Sequence, residues 1–239
     1  IYLILKDLPT KLSGTPQNPS GRFLFPLPFT VYSPVEMRKT LLPYPQAPQL
    51  AKSDIAYASS DPRLRSFYSY EPRLDSFAEI LRSKSLSESP RADLAAVLTD
   101  QYRALPESTP VHAHIEALRD TNTFTVTTAH QPSLFLGPLY FLYKALTTIN
   151  LAEAVQIRNP EYRIVPVFVL GSEDHDLEEL NAIQLFGKKL VWQSPESAAV
   201  GSMHTASLAP VLAELKSILG ESEAAQALFL RIERAYAGT

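Results

Sequence analysis

The fold class is decided by residues 124–170. This stretch begins with FTVTT at 124–128, continues through an amphipathic segment from Leu139 to Ala152, and ends with IVPVFVL at 164–170. The two outer pieces are rich in β-branched and aromatic residues, which favour strands. The middle piece places apolar residues at helical spacing behind Pro138. The order strand, helix, strand predicts a βαβ unit with parallel strands and a right-handed crossover.

The second apolar run, at 164–170, gives two conflicting predictions about its place in the sheet. Because it is continuous and apolar, it predicts a strand buried on both faces. Pro166 within it has no N–H to donate to a ladder, which counts against a central position in a sheet. A doubly wound sheet also needs more strands than the two or three parallel candidates found here. We therefore expect an α/β protein and a chain that is a fragment of a longer one.

Helical and hairpin signals flank the βαβ unit. Over residues 60–119, three pairs of a capping residue and a proline predict several short helices: Asp61-Pro62, Ser89-Pro90 and Thr109-Pro110. After the unit, Gly187-Lys188-Lys189 predicts a hairpin turn, and helices are expected over 208–219 and 222–236.

Residues 1–36 differ in character from the rest of the chain. Nine of the 20 prolines fall within the first fifty residues, and the segment shows neither helical periodicity nor strand alternation. It is either a disordered or loosely packed arm, or translated sequence upstream of a true start at Met37. We favour the second interpretation.

Composition excludes several classes of function. Lys+Arg 22 against Asp+Glu 25 gives a net charge of −3, so no global basic field attracts nucleic acid or acidic membranes. The absence of cysteine excludes disulfides, a thiolate zinc site and a cysteine nucleophile within this stretch. No apolar run approaches the roughly 20 residues of a membrane-spanning helix. We expect no metal site, no structural zinc and a cytoplasmic setting.

Two polar loops follow the predicted strands. His130 and Gln131 follow the first strand and lead to Gly137-Pro138 at a helix start, and residues 171–176 follow the second. Parallel α/β sheets bind ligands outside the carboxyl ends of their strands. If the strands are neighbours, both loops open into one crevice. The sequence therefore predicts that His130 and Asp174 share one pocket.

The first loop has two interpretations. The unpaired N–H groups of the helix behind Pro138 form a natural seat for an anion or phosphate. Gly137 would allow close backbone approach, and Lys144 faces either this site or solvent. Alternatively, His130 and Gln131 only bond loop carbonyls and cap the turn. The residues alone leave both open.

The second loop is costly to bury because it is densely charged. Its ionisable residues are consecutive: Glu173, Asp174, His175 and Asp176. Such a cluster can bind a metal, hydrogen-bond ribose hydroxyls or hold a protonated amine. The alternative is a solvated helix start, with Asp174 or Asp176 as N-cap and Glu178 and Glu179 in the first turn.

Several stretches resemble the bacillithiol biosynthesis cysteine-adding enzyme family. They are NTFTVTTAHQPSLFLGPLYFLYKALTTINLAEA from Asn122, PVFVLGSEDHDLEELN from Pro166, LFGKKLVW from Leu185, and LRSFYSY at 64–70. The resemblance runs from about Met37 to the end. It implies a Rossmann-like core related to class I aminoacyl-tRNA synthetases. It also implies a later coiled coil, missing from this chain, that forms a homodimer.

The resemblance also implies the site. The catalytic candidates are His130, Asp174, His175 and Asp176. The substrate- or nucleotide-binding candidates are Gln131, Gly137, Pro138, Tyr140, Lys144, Glu173 and Asn181. Ala129 and Leu136 depart from the family pattern, which more often has glycine and threonine at these positions.

The implied function is a ligase that joins cysteine to glucosaminyl-malate with ATP, in the last step of bacillithiol formation. Its partners would be these small molecules, with no nucleic acid and no membrane, and this fragment alone is expected to be incomplete. The alternatives are a nucleotidyltransferase-like enzyme and a non-catalytic nucleotide-binding module. The expected organisation is an unmatched segment at 1–36, a helical region at 37–121 that packs on the core, and an incomplete Rossmann-like core at 122–239.

Overall fold

A computed structural model describes residues 40, 42–47, 49–104 and 110–237. The chain divides into two compact units, Tyr2–Pro72 and Arg73–Thr239, so the helical region expected over 37–121 is shared between them. The predictions for residues 1–36 and for the cap at Thr109 lie outside the described residues. No helix in the described ranges is long and apolar enough to cross a membrane.

The first unit contains helix α1 (Lys52–Ala58) and two short 3-10 turns, at Tyr44–Gln46 and Pro62–Phe67. The predicted cap at Asp61-Pro62 is confirmed, because the Asp61 carboxylate accepts a hydrogen bond from the Arg63 backbone N–H. The Arg63 guanidinium also bonds this carboxylate at 2.6 Å. These bonds lower the pKa of Asp61 to about 2.

The second unit begins with helices α2 (Phe77–Ser83), α3 (Glu88–Gln101) and α4 (Pro110–Ala117). Helix α3 starts with Ser87 as its N-cap, so the prediction of Ser89 as the cap is wrong. Pro90 fits inside the first turn because the leading N–H groups of a helix have no partner within it. The buried Arg91 side chain then donates to three backbone carbonyls, of Leu86, Leu118 and Thr121.

The predicted βαβ unit is confirmed. Strand β1 (Thr123–His130) pairs in parallel with strand β2 (Arg163–Leu170), and helix α5 (Leu139–Arg158) connects them. The register runs from Thr123 opposite Arg163 to His130 opposite Leu170, so the two strands end together. Helix α5 packs against both strands. The fold is α/β with a short parallel sheet, as expected from the sequence.

Pro166 is accommodated by the direction of its nitrogen. Arg163 and Gly171 donate their N–H groups to β1, to the carbonyls of Asn122 and His130. Along a parallel strand, alternate residues donate to the same side, so the nitrogen of Pro166 points away from β1 and no ladder bond to β1 is lost. The N–H of Ile164 points the same way, and it bonds the side-chain oxygen of Gln156.

The prediction that β2 is buried on both faces is confirmed for only part of the strand. Ile164 and Val165 are buried, but Val169 is 48% exposed and Leu170 is 38% exposed. The prediction of a strand buried throughout is therefore wrong at its carboxyl end. Successive side chains of a strand point to opposite faces, so the exposure of both Val169 and Leu170 means that neither face is covered at this end.

The predicted hairpin forms one residue earlier than expected. A short helix α6 (Leu177–Leu180) leads into antiparallel strands β3 (Ala182–Leu185) and β4 (Lys188–Val191). The turn is Phe186-Gly187, with φ values of 49° and 79°, the left-handed pair that is typical of a type I′ hairpin turn. Lys188 and Lys189 therefore belong to β4, whereas the sequence placed them in the turn.

The last two helices agree closely with prediction. Helix α7 (Ala209–Leu219) ends at Gly220, whose φ is 79°, and helix α8 (Glu223–Tyr236) begins at Ser222. The Ser222 hydroxyl accepts a hydrogen bond from the Ala225 N–H at 3.2 Å, which is an ordinary N-cap.

Apolar side chains of the second unit form two clusters. The smaller one joins α2, α5 and β2 through Leu81, Ala152, Val155 and Ile164. The larger one joins the hairpin to the last two helices, and its members are Leu134, Leu190, Trp192, Met203, Leu208, Val211, Leu215, Phe229 and Ile232. The larger cluster holds the loops that follow β1 and β2, because Leu134 lies in the first loop and the hairpin follows the second.

Phe141 on α5 provides a test of the core. Its side chain is fully buried, and its ring lies 5.0 Å from the ring of Phe168. We expect Phe141→Ala to lower the free energy of unfolding by about 3–5 kcal/mol, because it removes a large apolar group and leaves a cavity. Urea unfolding measures the loss. Tyr143→Ala, on the same helix but 61% exposed, is the control and should change stability by less than about 1 kcal/mol. Equal losses in both variants would contradict the packing described here.

Candidate functional site

The loops after β1 and β2 lie side by side. The Gly171 N–H donates to the His130 carbonyl at 3.0 Å, which continues the ladder past the end of β2. One residue further, the Gln131 side-chain amide donates to Asp174 Oδ2 at 2.9 Å. The sequence predicts that both loops open at one edge of the sheet, and the structure places them there. Gln131 is the residue that joins the imidazole-bearing loop to the acidic loop.

His130 makes contacts through both ring nitrogens. Nδ1 lies 2.9 Å from the carbonyl oxygen of Gln131, and Nε2 lies 2.8 Å from the Tyr140 hydroxyl. The ring also packs edge-on against Phe141, with 5.3 Å between centroids. His130 therefore contacts one loop carbonyl, as expected from the alternative in which His130 and Gln131 only bond loop carbonyls. The contact to Tyr140 is not explained by that alternative, because Tyr140 lies in the first turn of α5 and not in the loop.

Lys144 lies one turn beyond Tyr140 and points to the end of β1. Its ammonium donates to the Ala129 carbonyl at 3.1 Å and lies 5.8 Å from the centroid of the Tyr140 ring. The sequence left open whether Lys144 faces this site or solvent; its side chain is exposed and contacts the end of β1. His130, Tyr140 and Lys144 thus form a chain of polar groups at the start of α5.

The turn that enters α5 is in an unusual backbone conformation. Phe135, Leu136 and Gly137 all have positive φ, of 48°, 70° and 54°. Left-handed conformations in two successive non-glycine residues are costly and persist only where neighbouring contacts hold them. One such contact is the Phe135 N–H, which donates to the Tyr236 hydroxyl at 2.9 Å. Burial raises the pKa of Tyr236, so its hydroxyl stays protonated.

Gly137 is required by its own loop. A Cβ at this position would lie 2.5 Å from Ser133 Cβ, which is closer than such atoms approach. The sequence suggested that this glycine lets a ligand approach the backbone. The structure gives an internal reason for the glycine, since a side chain here would both collide with Ser133 and adopt an unfavourable φ. The approach of a ligand at this position stays a prediction.

A cavity of about 410 Å³ opens beside this turn. Its lining combines the start of α5 with one face of the hairpin: Gly137, Pro138, Leu139, Ala182, Ile183, Gln184 and Lys189. Leu139 and Tyr140 precede Phe141, the first residue whose N–H bonds back, to the Pro138 carbonyl. The cavity therefore borders the end of a helix where N–H groups lack helical partners.

Sequence reasoning missed Gln184 and Lys189. They form a cross-strand pair of the hairpin, so both side chains lie on one face, and both are exposed. Only the prediction of the hairpin itself could have indicated them. Its position against the start of α5 depends on contacts between distant segments, which no local pattern records.

The acidic loop is fixed from two sides. Asp174 Oδ2 accepts from Gln131, and Asp174 Oδ1 accepts from the Asp176 N–H at 3.0 Å. On the other side, the Val200 N–H donates to the Asp174 carbonyl at 2.8 Å, and the Gly201 N–H donates to the Ser172 carbonyl at 2.9 Å. The hydrogen bonds from Asp176 and Gln131 lower the pKa of Asp174.

The interpretation of this loop as a helix start is partly realised. Asp176 occupies the N-cap position of α6 but its side chain makes no capping bond, while Glu178 and Glu179 lie in the first turn. Glu173, His175 and Asp176 are exposed. Asn181 contributes through its backbone, because its carbonyl accepts from the Trp192 N–H at 2.7 Å. The structure does not place these four side chains in contact with His130, and their assigned roles stay predictions.

Metal binding was one of the uses considered for the acidic loop. Within the described ranges, no group of three or more His, Cys, Asp or Glu side chains is arranged to hold a metal ion. The acidic loop thus offers hydrogen-bond acceptors and negative charge.

The lowered pKa of Asp174 predicts how stability depends on pH. A carboxyl group whose pKa is lower in the folded state stabilises the fold above its unfolded pKa, and this contribution is lost as pH falls through the folded value. We expect the wild-type chain to be more stable than Asp174→Asn at pH 7. The difference should shrink as pH is lowered from about 5 toward about 3.

Urea unfolding at several pH values measures this difference. Asp176→Asn is the matched control, because Asp176 is an exposed neighbour and the Gln131 amide bonds Asp174 instead of it. It should change stability little, and equally at every pH. A deficit of Asp174→Asn that stays constant with pH would show that the carboxylate is not held as described.

The sequence of this chain matches a known protein family. Residues 37–239 match the model for "Bacillithiol biosynthesis BshC, N-terminal Rossmann-like domain". A protein of Christiangramia forsetii named "Putative cysteine ligase BshC" is 38% identical over 206 residues, which cover 84% of this chain and 38% of that protein. Proteins of the same name from Flavobacterium psychrophilum and Flavobacterium johnsoniae are 36% and 37% identical. They are matched over 77% and 75% of this chain, and over 35% and 34% of their own lengths.

The chain therefore spans little more than a third of the length of these relatives. The matched model covers most of the chain and includes β1, α5, β2 and both loops of the site. This chain belongs to the BshC family of bacillithiol biosynthesis and carries its N-terminal Rossmann-like domain.

Proposed function

We propose that the full-length protein is a ligase that adds cysteine to glucosaminyl-malate, the last step of bacillithiol formation. Family membership and the name shared by the relatives support a cysteine ligase. ATP would be the co-substrate. Cysteine's carboxylate would attack the α-phosphate of ATP, and the bond to the β-phosphate would break to release pyrophosphate. The sugar's amino group would then displace AMP from the activated carboxyl.

The observation that carries this proposal is the hydrogen bond between Gln131 and Asp174. It joins a loop that leads to a helix start with a loop that carries negative charge, at the edge where parallel sheets bind ligands. A two-step transfer needs both properties in one place. The phosphates need N–H donors or cations, and the incoming amine needs an acceptor.

The start of α5 fits the phosphates of the nucleotide. Leading N–H groups of a helix and its dipole favour anions. The bordering cavity, about 410 Å³, is within the usual range of small-molecule sites, and Lys189 adds a positive charge to its lining. Leu139 and Tyr140 would supply the backbone donors.

Asp174 is suited to hold an amine. Two hydrogen bonds stabilise its carboxylate and lower its pKa, so it remains ionised at neutral pH. A group with a lowered pKa is a weak base near pH 7, because an effective general base has a pKa close to the working pH. This favours a role for Asp174 in orienting the amine over a role in accepting the amine's proton.

The remaining expectations belong to the whole protein. We propose that it works in the cytoplasm as a homodimer, through a coiled coil in the part of the relatives' length that this chain does not span. Its partners would be small molecules.

The direct test uses full-length protein with ATP, cysteine and glucosaminyl-malate. We expect exchange of pyrophosphate into ATP that requires cysteine, and a product whose mass corresponds to cysteine joined to the sugar. Asp174→Ala should lower kcat/KM for the sugar by about 100-fold, because the amine is no longer oriented. Glu178→Ala, an exposed carboxylate in the first turn of α6, is the control and should keep kcat/KM within about two-fold.

Each contrary result points to one of the alternatives. Pyrophosphate exchange that does not depend on cysteine would indicate a nucleotidyltransferase-like enzyme. Nucleotide binding without turnover of any substrate would indicate a non-catalytic module. Either outcome would overturn the ligase.

A further inference from the structure

We propose that Tyr140 and His130 form a proton relay in which the Tyr140 hydroxyl takes the proton of the attacking amine and His130 accepts the proton that Tyr140 gives up. This deepens the proposed ligase function and rests on it. In this relay Tyr140 is the catalytic residue that contacts the substrate. His130 contacts Tyr140 and accepts its proton.

The tautomer of His130 follows from its contacts. Nδ1 lies 2.9 Å from the Gln131 carbonyl oxygen, and a carbonyl oxygen only accepts hydrogen bonds. Nδ1 therefore carries the ring proton. In the neutral ring Nε2 is then an acceptor, and its partner at 2.8 Å is the Tyr140 hydroxyl. Tyr140 donates its proton to His130, and the Ser133 hydroxyl, at 3.5 Å from Nδ1, is too distant to compete.

The ring is held in this orientation by packing. Fully buried Phe141 contacts the imidazole edge-on, and Phe141 itself packs on Phe168 of β2. A fixed base behind a hydroxyl is the arrangement that activates hydroxyl groups in many enzymes. His130 is thus positioned as an acceptor.

Tyr140 is positioned to meet a substrate. It is the second residue of α5 and is 48% exposed, while its hydroxyl oxygen can still accept a hydrogen bond after donating its own proton. It also follows Leu139, which lines the cavity at the helix start. The Lys144 ammonium, 5.8 Å from the centre of the Tyr140 ring, stabilises negative charge that develops on the phenol.

The step balances without any further reactant. The nitrogen of the sugar amine forms a bond to the activated carboxyl carbon of cysteine, and the bond from that carbon to AMP breaks with its electron pair leaving on AMP. The nitrogen's surplus proton moves to the Tyr140 oxygen as the Tyr140 proton moves to His130 Nε2. The resulting imidazolium keeps its Nδ1–H bond to the Gln131 carbonyl and later releases the proton to water.

The relay predicts a separation of the two half-reactions in the full-length enzyme. Tyr140→Phe should keep cysteine-dependent pyrophosphate exchange within about three-fold of wild type. Transfer to glucosaminyl-malate should fall by about 100-fold or more, the usual contribution of general acid–base catalysis. His130→Gln should show the same pattern. The double variant should be no slower than either single variant, because residues that act as one unit are not additive.

Tyr143→Phe is the matched control. Tyr143 lies three residues further along α5 and is 61% exposed, so this variant should leave both half-reactions unchanged. Transfer at the wild-type rate by Tyr140→Phe would overturn the relay, and so would equal loss of exchange and transfer, which indicates a binding role. Losses that multiply in the double variant would also overturn it.

A spectroscopic measurement tests the relay without reference to turnover. In ¹⁵N-histidine-labelled protein at a pH where the ring is neutral, His130 should be protonated at Nδ1. The Nε2 signal should change in Tyr140→Phe and stay unchanged in Tyr143→Phe. Protonation of the neutral ring at Nε2 would overturn the relay even if the ligase activity is confirmed. Absence of cysteine-dependent exchange in wild type would instead overturn the ligase function, whatever the tautomer.

Discussion

The parallel pairing of β1 with β2 determines where the polar groups of the site lie. Because the strands are in register from Thr123 opposite Arg163 to His130 opposite Leu170, they end at the same level. The side chains just beyond both ends are then within reach of each other, and Gln131 bonds Asp174. A shift of one residue would turn every side chain of one strand to the opposite face. Helix α5 both makes this pairing possible and brings Tyr140 to His130.

Backbone strain is present beside this edge. The turn before α5 holds Phe135 and Leu136 in left-handed conformations, and a hydrogen bond from Phe135 to Tyr236 at the end of α8 helps to hold it. The acidic loop is bonded by Val200 and Gly201 in the same way. Segments distant in sequence thus stabilise both loops, which is the arrangement expected where function requires a fixed geometry.

Local patterns predicted the elements of this fold well. The βαβ unit, the hairpin and the ends of α7 and α8 depend on spacing, caps and turn glycines that act within a few residues. The errors lie where a local pattern does not decide the outcome. Ser87, and not Ser89, occupies the N-cap position of α3, and its side chain makes no capping hydrogen bond. At the end of β2 both faces are exposed, because burial of a strand face depends on the elements that pack against it, which a run of apolar residues does not record.

The sequence predicted where the site lies, but it did not predict which side chains contact each other there. The rule for parallel sheets placed Gln131 and Asp174 at one edge. No sequence pattern specifies that the Tyr140 hydroxyl lies against His130 Nε2, or that a side chain at Gly137 would collide with Ser133. Gln184 and Lys189 were missed because the hairpin reaches the start of α5 only through the packing of the larger apolar cluster.

The most direct test of the shared edge is a double-mutant cycle on the unfolding free energy of the chain at pH 7, with Gln131→Leu, Asp174→Asn and the double variant. If the two side chains are bonded, the double variant loses clearly less stability than the sum of the single losses, since the second change removes a bond that is already broken. Single losses that add within experimental error would show that the two loops do not meet through these residues, and would contradict the account of the site.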